Sequence, residues 1–189
     1  MSEHDSKRTS ARKRTEKVVD PRLSKKELVA IVDRQNTITG SAQRSDMRRQ
    51  GLIHRATYIL VFNSRGDLFV QERTVTKDIF PGYHDLCTGG VVAAGEEYDD
   101  SARRELEEEI GLKAADLSFL FDFYGEYASQ KVWGRAYTCI SEGPFTLQPE
   151  EVAGGRFYSI DEVMRLIDTE LCTPDSVYVF LRFLEMKGT

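Results

Sequence analysis

The stretch that decides the fold reads Gly90-Val-Val-Ala-Ala-Gly-Glu-Glu-Tyr-Asp-Asp-Ser-Ala-Arg-Arg-Glu-Leu-Glu-Glu-Glu-Ile-Gly-Leu112. Its second half has the period of a helix that Gly111 ends. At about 100° per residue, Glu105, Glu108 and Glu109 share one face, and Ala102, Leu106 and Ile110 form an adjacent apolar strip that can pack on a sheet. Like charges three and four residues apart weaken a helix by about a few tenths of a kcal/mol per pair. A divalent cation would remove that cost and turn the cluster into a site. Gly111 suits the left-handed position just past a helix end. Glu97, Asp99 and Asp100 fall at the opposite end, where negative charge is favourable, and Glu107 points away from the cluster into solvent.

Upstream, residues 56–62 are nearly all apolar, as in a central strand covered on both faces. A turn at 63–66 leads to a strand at 67–73, predicted to pair antiparallel with it. Before these, 28–33 and 37–40 form a small hairpin about 34–36. Residues 42–51, polar and basic with Arg44, Arg48 and Arg49, read as a loop or one helical turn. Residues 80–85 make a turn rich in ligand-competent side chains, and a short strand at 86–92 feeds the opening helix. Downstream come strands at 117–124 and 131–140, joined by 124–130, then a loop with Pro144 and Pro149 that carries Glu142, Glu150 and Glu151. A last strand at 155–159 precedes a helix with Ser159 as N-cap and Glu162 closing a capping box. A final helix from Pro174 has Val177, Phe180, Leu181 and Leu184 as its apolar stripe. This order predicts an α/β fold with a mixed sheet between helices.

The length of 189 residues suits one domain and a tail. Residues 1–22 lack apolar periodicity and are read as a disordered basic tail; residues 23–189 form the domain. The tail holds seven basic and four acidic side chains, a net of +3, so the overall −5 leaves −8 on the remainder. An acidic body argues against duplex nucleic acid as the main partner. No apolar run approaches the ~20 residues that span a bilayer, and the N-terminus lacks a signal-peptide pattern. Cys87, Cys139 and Cys172 are odd in number and show no CxxC spacing. They read as reduced thiols of a cytoplasmic protein, without zinc.

The spacing Gly90-x5-Glu96-x7-Arg104-Glu105-Leu106-x-Glu108-Glu109-x-Gly111-Leu112 resembles the signature of the Nudix hydrolases. The resemblance extends from about Leu28 to the C-terminus. It implies an α/β/α sandwich whose loop-helix-loop binds a divalent metal, Mg²⁺ or Mn²⁺ in its place, and a small-molecule diphosphate. Glu105, Glu108 and Glu109 would be the metal ligands, with the backbone carbonyl of Gly90 as a further one. Glu96 and Arg104 would hold their neighbours in place, a guanidinium being able to grip a carboxylate through two bonds. The general base would be a carboxylate of the box, Glu105 or Glu108, or a glutamate on a later loop, with Glu151 ahead of Glu150. Arg55, Arg73 and Lys77 are candidates for contacts to phosphate. Homodimers are common in the family, and the chain leaves that state open.

A second resemblance lies in the framework. Residues 32–42, 49–56 and Phe80-Pro81-Gly82 look like isopentenyl-diphosphate isomerases, which share the fold but move a proton on an allylic diphosphate. That chemistry needs a cysteine and three metal-binding histidines. Alignment puts Gly89 at the cysteine position, with Cys87 two residues early, and Met47 and Val91 at two of the histidine positions. His54 alone remains. Cys87 and His54 are therefore read as buried structural residues. The expected function is metal-dependent hydrolysis of a diphosphate bond in a nucleotide, or in a nucleoside diphosphate linked to another moiety. The alternatives are isomerase-like activity and a non-catalytic module that binds a nucleotide or RNA.

Overall fold

The computed structural model describes residues 27–128 and 130–188, so the expected tail at 1–22 lies outside the described residues. The apolar run at 56–62 falls within β3 (Ile53–Phe62), and the sheet is assembled on it. Before it come a hairpin of β1 (Leu28–Val32) and β2 (Ile38–Gln43) and the helix α1 (Arg44–Gln50). After it come β4 (Leu68–Arg73), β5 (His84–Asp85), α2 (Tyr98–Ile110), β6 (Ser118–Tyr127), β7 (Gln130–Ile140), β8 (Val152–Tyr158), α3 (Ile160–Thr169) and α4 (Pro174–Lys187).

Along one edge β3 pairs in parallel with β7 over its whole length, from Ile53↔Lys131 to Phe62↔Ile140, and β6 continues antiparallel from β7. The other edge of β3 is shared. It takes β1 at Ile31↔His54, the extended segment 88–91 through bridges Ala56↔Val91 and Ile59↔Thr88, and β4 at Phe62↔Leu68. The mixed sheet and its helices bear out the expected sandwich, with differences in detail. Pairing of β3 with β4 is confined to the base of their hairpin, because beyond it segment 88–91 takes that edge of β3 and β5 that edge of β4, while β8 pairs along the other edge of β4. Residues 86–92 lie against β3 by single bridges and form no regular strand of their own. Residues 44–50 are helical, closed by Gly51 in the left-handed conformation at φ 61°.

Alternation along β3 builds both cores. Ile59 and Val61 face Tyr98, Ala102, Leu106 and Ile110 of α2, whereas Tyr58, Leu60 and Phe62 face Val163 of α3 and Val179, Phe180 and Phe183 of α4. Burying each large apolar side chain contributes roughly 1.5–3 kcal/mol. The stripe of α4 sits one residue away from the expected set: Ser176, Val179, Phe180 and Phe183 are buried and Leu181 is exposed. Ser176 can go inside because its hydroxyl accepts from Leu86 N–H and bonds Thr173. Ser159 caps α3 with the reciprocal Glu162 bonds of a capping box. All three cysteines are free thiols, and no described helix is long and apolar enough to cross a membrane.

Candidate active site

The helix α2 is fixed at its end. Gly111 takes φ 71°, its N–H donates to Glu107 O and Leu112 N–H donates to Leu106 O, which closes the last turn directly after the glutamates. The loop at 146–148 then runs along this end, Thr146 and Gln148 donating to the carbonyls of Ile110 and Glu109 at 2.9 Å. Ahead of the helix, Arg104 grips Glu96 through two bonds, Nε to Oε1 at 2.9 Å and Nη2 to Oε2 at 3.0 Å. Its Nη1 donates to Glu105 at 2.7 Å and to Glu108 at 2.9 Å. One guanidinium thus fixes three carboxylates, the role the box assigned to it with Glu96. Burial acts to raise Glu96, but the Arg104 bonds and the Ala93 N–H outweigh it and hold the carboxyl below its ordinary range.

Glu105 and Glu109 lie inward. Glu109 is 5 % exposed, and its Oε2 accepts from Gln71 Nε2 at 3.0 Å and from Gly89 N–H at 3.3 Å. Burial, followed by the charge of Glu109, pushes Glu105 up to about 7; burial likewise raises Glu109 against the pull of Lys77 and Gln71. Gly90 passes so close that a Cβ there would lie 2.6 Å from Glu105 Oε1, so only glycine leaves the carboxylate its place. The Gly90 carbonyl accepts from Thr57 N–H at 2.9 Å and, over a longer 3.4 Å, from Thr57 Oγ1. Glu108 differs: its side chain is 54 % exposed and lies against Arg104. Among the described residues no three metal-binding side chains converge on one point. The donor set nevertheless fits a hard divalent cation. Two carboxylates drawn out of solvent, one raising the proton affinity of the other, beside a close-approaching carbonyl, are what such an ion relieves.

Glu151 stands just before β8 and pairs with Lys77, while Thr74 N–H and Oγ1 donate to the carbonyls of Glu151 and Glu150. Burial lowers Lys77 to about 8, and the charge of Glu109 opposes that shift. Arg73 lines the same pocket with three donors committed, to Phe80 O, Ile79 O and Asp85. Arg55 does not join the group. It follows the alternation of β3 to the α2 side, where it donates to Asn36 and lies over the Tyr98 ring.

Beside Glu105 and Gly90 opens a pocket that also holds residues absent from the sequence-based set. Arg44 and Arg48 of α1 form one wall with Lys77; Tyr58, Cys87, Thr173 and Asp175 form the floor. Tyr58 donates to Asp175 at 3.0 Å, and burial raises both groups. Asp85 accepts from Arg73 and Thr173. The spacing Arg44–Arg48 was the available signal for the wall, once 44–50 is recognised as helical. The isomerase framework is filled differently here. Met47 and Val91 pack with Val29 in an apolar cluster, and burial lowers His54 beside them to about 4, leaving it neutral. At Gly89, φ is 152° and a Cβ would meet Thr57 O at 2.1 Å, so this backbone has no room for a cysteine. Burial raises the Cys87 thiol well above its ordinary value.

A profile of the NUDIX domain matches residues 52–176. A Nudix hydrolase of Pseudomonas aeruginosa that carries the label uncharacterised is 41% identical over 84% of this chain and 94% of its own. YfcD of Escherichia coli K12, likewise labelled an uncharacterised Nudix hydrolase, is 43% identical over 82% of this chain and 86% of its own. In fold, the chain is similar to the crystal structure of DR0079 from Deinococcus radiodurans, with TM-score 0.70 and 24% identity over 82% of this chain and 97% of that one. The carboxylate helix with its arginine hub and these relatives agree, and the chain belongs to the Nudix hydrolase family.

Proposed function

We propose that the chain hydrolyses a diphosphate bond in a nucleotide, or in a nucleoside diphosphate linked to another moiety, with Mg²⁺, or Mn²⁺ in its place, as cofactor. The observation that carries this reading is the pair of buried carboxylates, Glu105 and Glu109, pressed against Gly90 and braced by Arg104. Glu105, Glu109 and the Gly90 carbonyl would hold the cation, and Glu108 joins them by turning its exposed side chain away from Arg104. When bound, the ion neutralises diphosphate oxygens and makes a water more acidic. In the reaction a water oxygen bonds to phosphorus, the bridging oxygen leaves with the bonding electrons, and a carboxylate accepts the water proton. Glu151 is assigned that last role, since its carboxylate pairs with Lys77, a residue that lines the pocket. The closed position of Gly89 and the apolar Met47–Val91 contact count against the proton transfer of the isomerases. The complete carboxylate set counts against a module that only binds. The reduced thiols suit the cytoplasm.

The test is a panel of nucleotides and nucleoside-diphosphate conjugates with Mg²⁺, for wild type, Glu105→Gln and Glu108→Gln. Each variant should lose about 10²-fold or more in kcat, as removal of an electrostatic group acting at a transition state does. Equal turnover by all three proteins would reject the reading.

A further inference from the structure

Three cations, Arg44, Arg48 and Lys77, line the pocket, each with one carboxylate partner among the described residues. Arg44 and Arg48 stand one turn apart on the same face of α1, an arrangement that weakens a helix through like-charge repulsion. Each guanidinium meets one carboxylate through Nη1 alone, Arg44 with Glu27 at 3.3 Å and Arg48 with Asp78 at 2.8 Å. The Nε of each is buried with no partner among the described residues, as is Nδ1 of His54, which lines the same pocket. Burial and the charge of Arg44 lower Arg48 to about 10. The lining continues through Ala56, Tyr58, Cys87 and Thr173, all buried, with the carboxylates of Asp85 and Asp175 beside them. Gly90, which Glu105 abuts, lines the same pocket, so the wall adjoins the carboxylate site.

We propose that Arg44, Arg48 and Lys77 form a subsite for a free terminal phosphate, which makes diphosphate monoesters the preferred substrate class over diphosphates esterified at both ends. The inference rests on the hydrolase reading above. A free terminal phosphate carries about −1.5 to −2 near pH 7, whereas a doubly esterified diphosphate has one charge per phosphorus, which a single divalent ion already balances. The two buried Nε donors, unpartnered among the described residues, match the first, and the buried side chains of the lining crowd a group attached to the distal phosphate.

Two measurements test it. Methylenediphosphonate, a diphosphate that cannot be hydrolysed, is titrated calorimetrically into the full chain in EDTA. Arg44→Gln and Arg48→Gln should each weaken its binding about tenfold or more, as loss of a hydrogen bond to a charged group does. Arg103→Gln, whose side chain bonds Ala115 O on the surface, should not change it. Circular dichroism checks folding, and Arg48→Lys, which keeps the charge but loses the fork, serves as a second variant with an intermediate loss. Then kcat/KM is compared for a nucleoside diphosphate and for the same nucleotide carrying a sugar on its distal phosphate. Wild type should favour the monoester, and Arg48→Gln should cut that preference about tenfold. Unchanged diphosphonate binding in both glutamine variants, or preference for the sugar conjugate, overturns the proposal. Arginine-dependent diphosphonate binding without hydrolysis of any substrate would remove the hydrolase reading and leave the subsite standing.

Discussion

Gly90→Ala tests how the cation site is shaped. A methyl group at this position would lie 2.6 Å from Glu105 Oε1, 2.7 Å from Cδ and 2.8 Å from Oε2, where ordinary contacts begin near 3.4 Å. The nearer carboxylate oxygen must therefore retreat by about 0.8 Å from the added methyl, the difference between 3.4 and 2.6 Å. The fold itself should tolerate the change, because the obstacle is the far end of a side chain and Gly90 has no left-handed φ that alanine would strain. Metal–ligand distances hold to about ±0.2 Å, so a shift of this size breaks the geometry shared by carboxylate and carbonyl. The expected loss is about 10–100-fold in affinity for the ion, or about 1.4–2.7 kcal/mol. Calorimetric titration of Mn²⁺ without substrate reads it, and thermal unfolding in EDTA confirms that stability is little altered. A folded Gly90→Ala protein with wild-type Mn²⁺ affinity would refute the placement of the site at Glu105 and Gly90.

The remaining expectations concern the protein without its ion. Burial and the Glu109 charge lift Glu105 from 4.5 to about 7, and Glu109 is raised as well. A carboxyl raised on folding favours the native state while protonated, so this contribution is full below about pH 4.5 and is lost as pH rises through about 7. Urea stability in EDTA should fall across that window and fall less in Glu105→Gln; a rise would contradict it. Arg104→Met strands Glu96 and Glu105, which are mostly buried. Breaking a buried pair costs about 3–5 kcal/mol, and partial exposure of Arg104 reduces this to about 2–3 kcal/mol in urea denaturation. Arg104→Lys should recover little, since an ammonium cannot grip Glu96 through two parallel bonds. Gly89→Ala drives a Cβ into the Thr57 carbonyl at φ 152°. It should lower stability by at least about 1–3 kcal/mol, and a thermal midpoint equal to wild type would show that this backbone can accept a side chain.

Most of the fold was legible because strands and helices with an apolar face announce themselves by period. Leu106 and Ile110 are buried where the helix period puts them, and Ile59 and Tyr58 part to opposite faces as a strand requires. The errors have physical causes. The helix α1 presents one buried apolar residue, Met47, so its sequence has no stripe to read. The register of α4 slipped by one because Ser176, a polar residue, holds an inward position through its hydroxyl bonds. In the site, helical spacing placed three glutamates on one face, yet a face has two flanks. The sheet covers Glu109 and leaves Glu108 in solvent. Strand alternation takes Arg55 to Asn36 and Tyr98, while the pocket brings Arg44 and Arg48 together with Arg73, a meeting of distant segments that no local pattern encodes.

The site is thus two clusters of like charge set side by side, carboxylates on α2 and cations on α1 and the loop after β4. Each cluster alone opposes folding, and the chain supplies two internal counter-ions between them, Arg104 and Lys77. They are not equivalent. Arg104 is bonded to Glu96, Glu105 and Glu108 at once, and the Glu96 bonds hold its protonation firmly against burial. Lys77 has Glu151 as its one ion-pair partner among the described residues, and burial brings its ammonium down to about 8. An incoming anion adds bonds to Lys77 and weakens the repulsion it shares with Arg44 and Arg73, whereas displacing Arg104 would strand Glu96. On the proposed reading Arg104 belongs to the scaffold, and Lys77 is the cation that would turn from Glu151 toward phosphate. That turn would release the Glu151 carboxylate at the moment when a base is required.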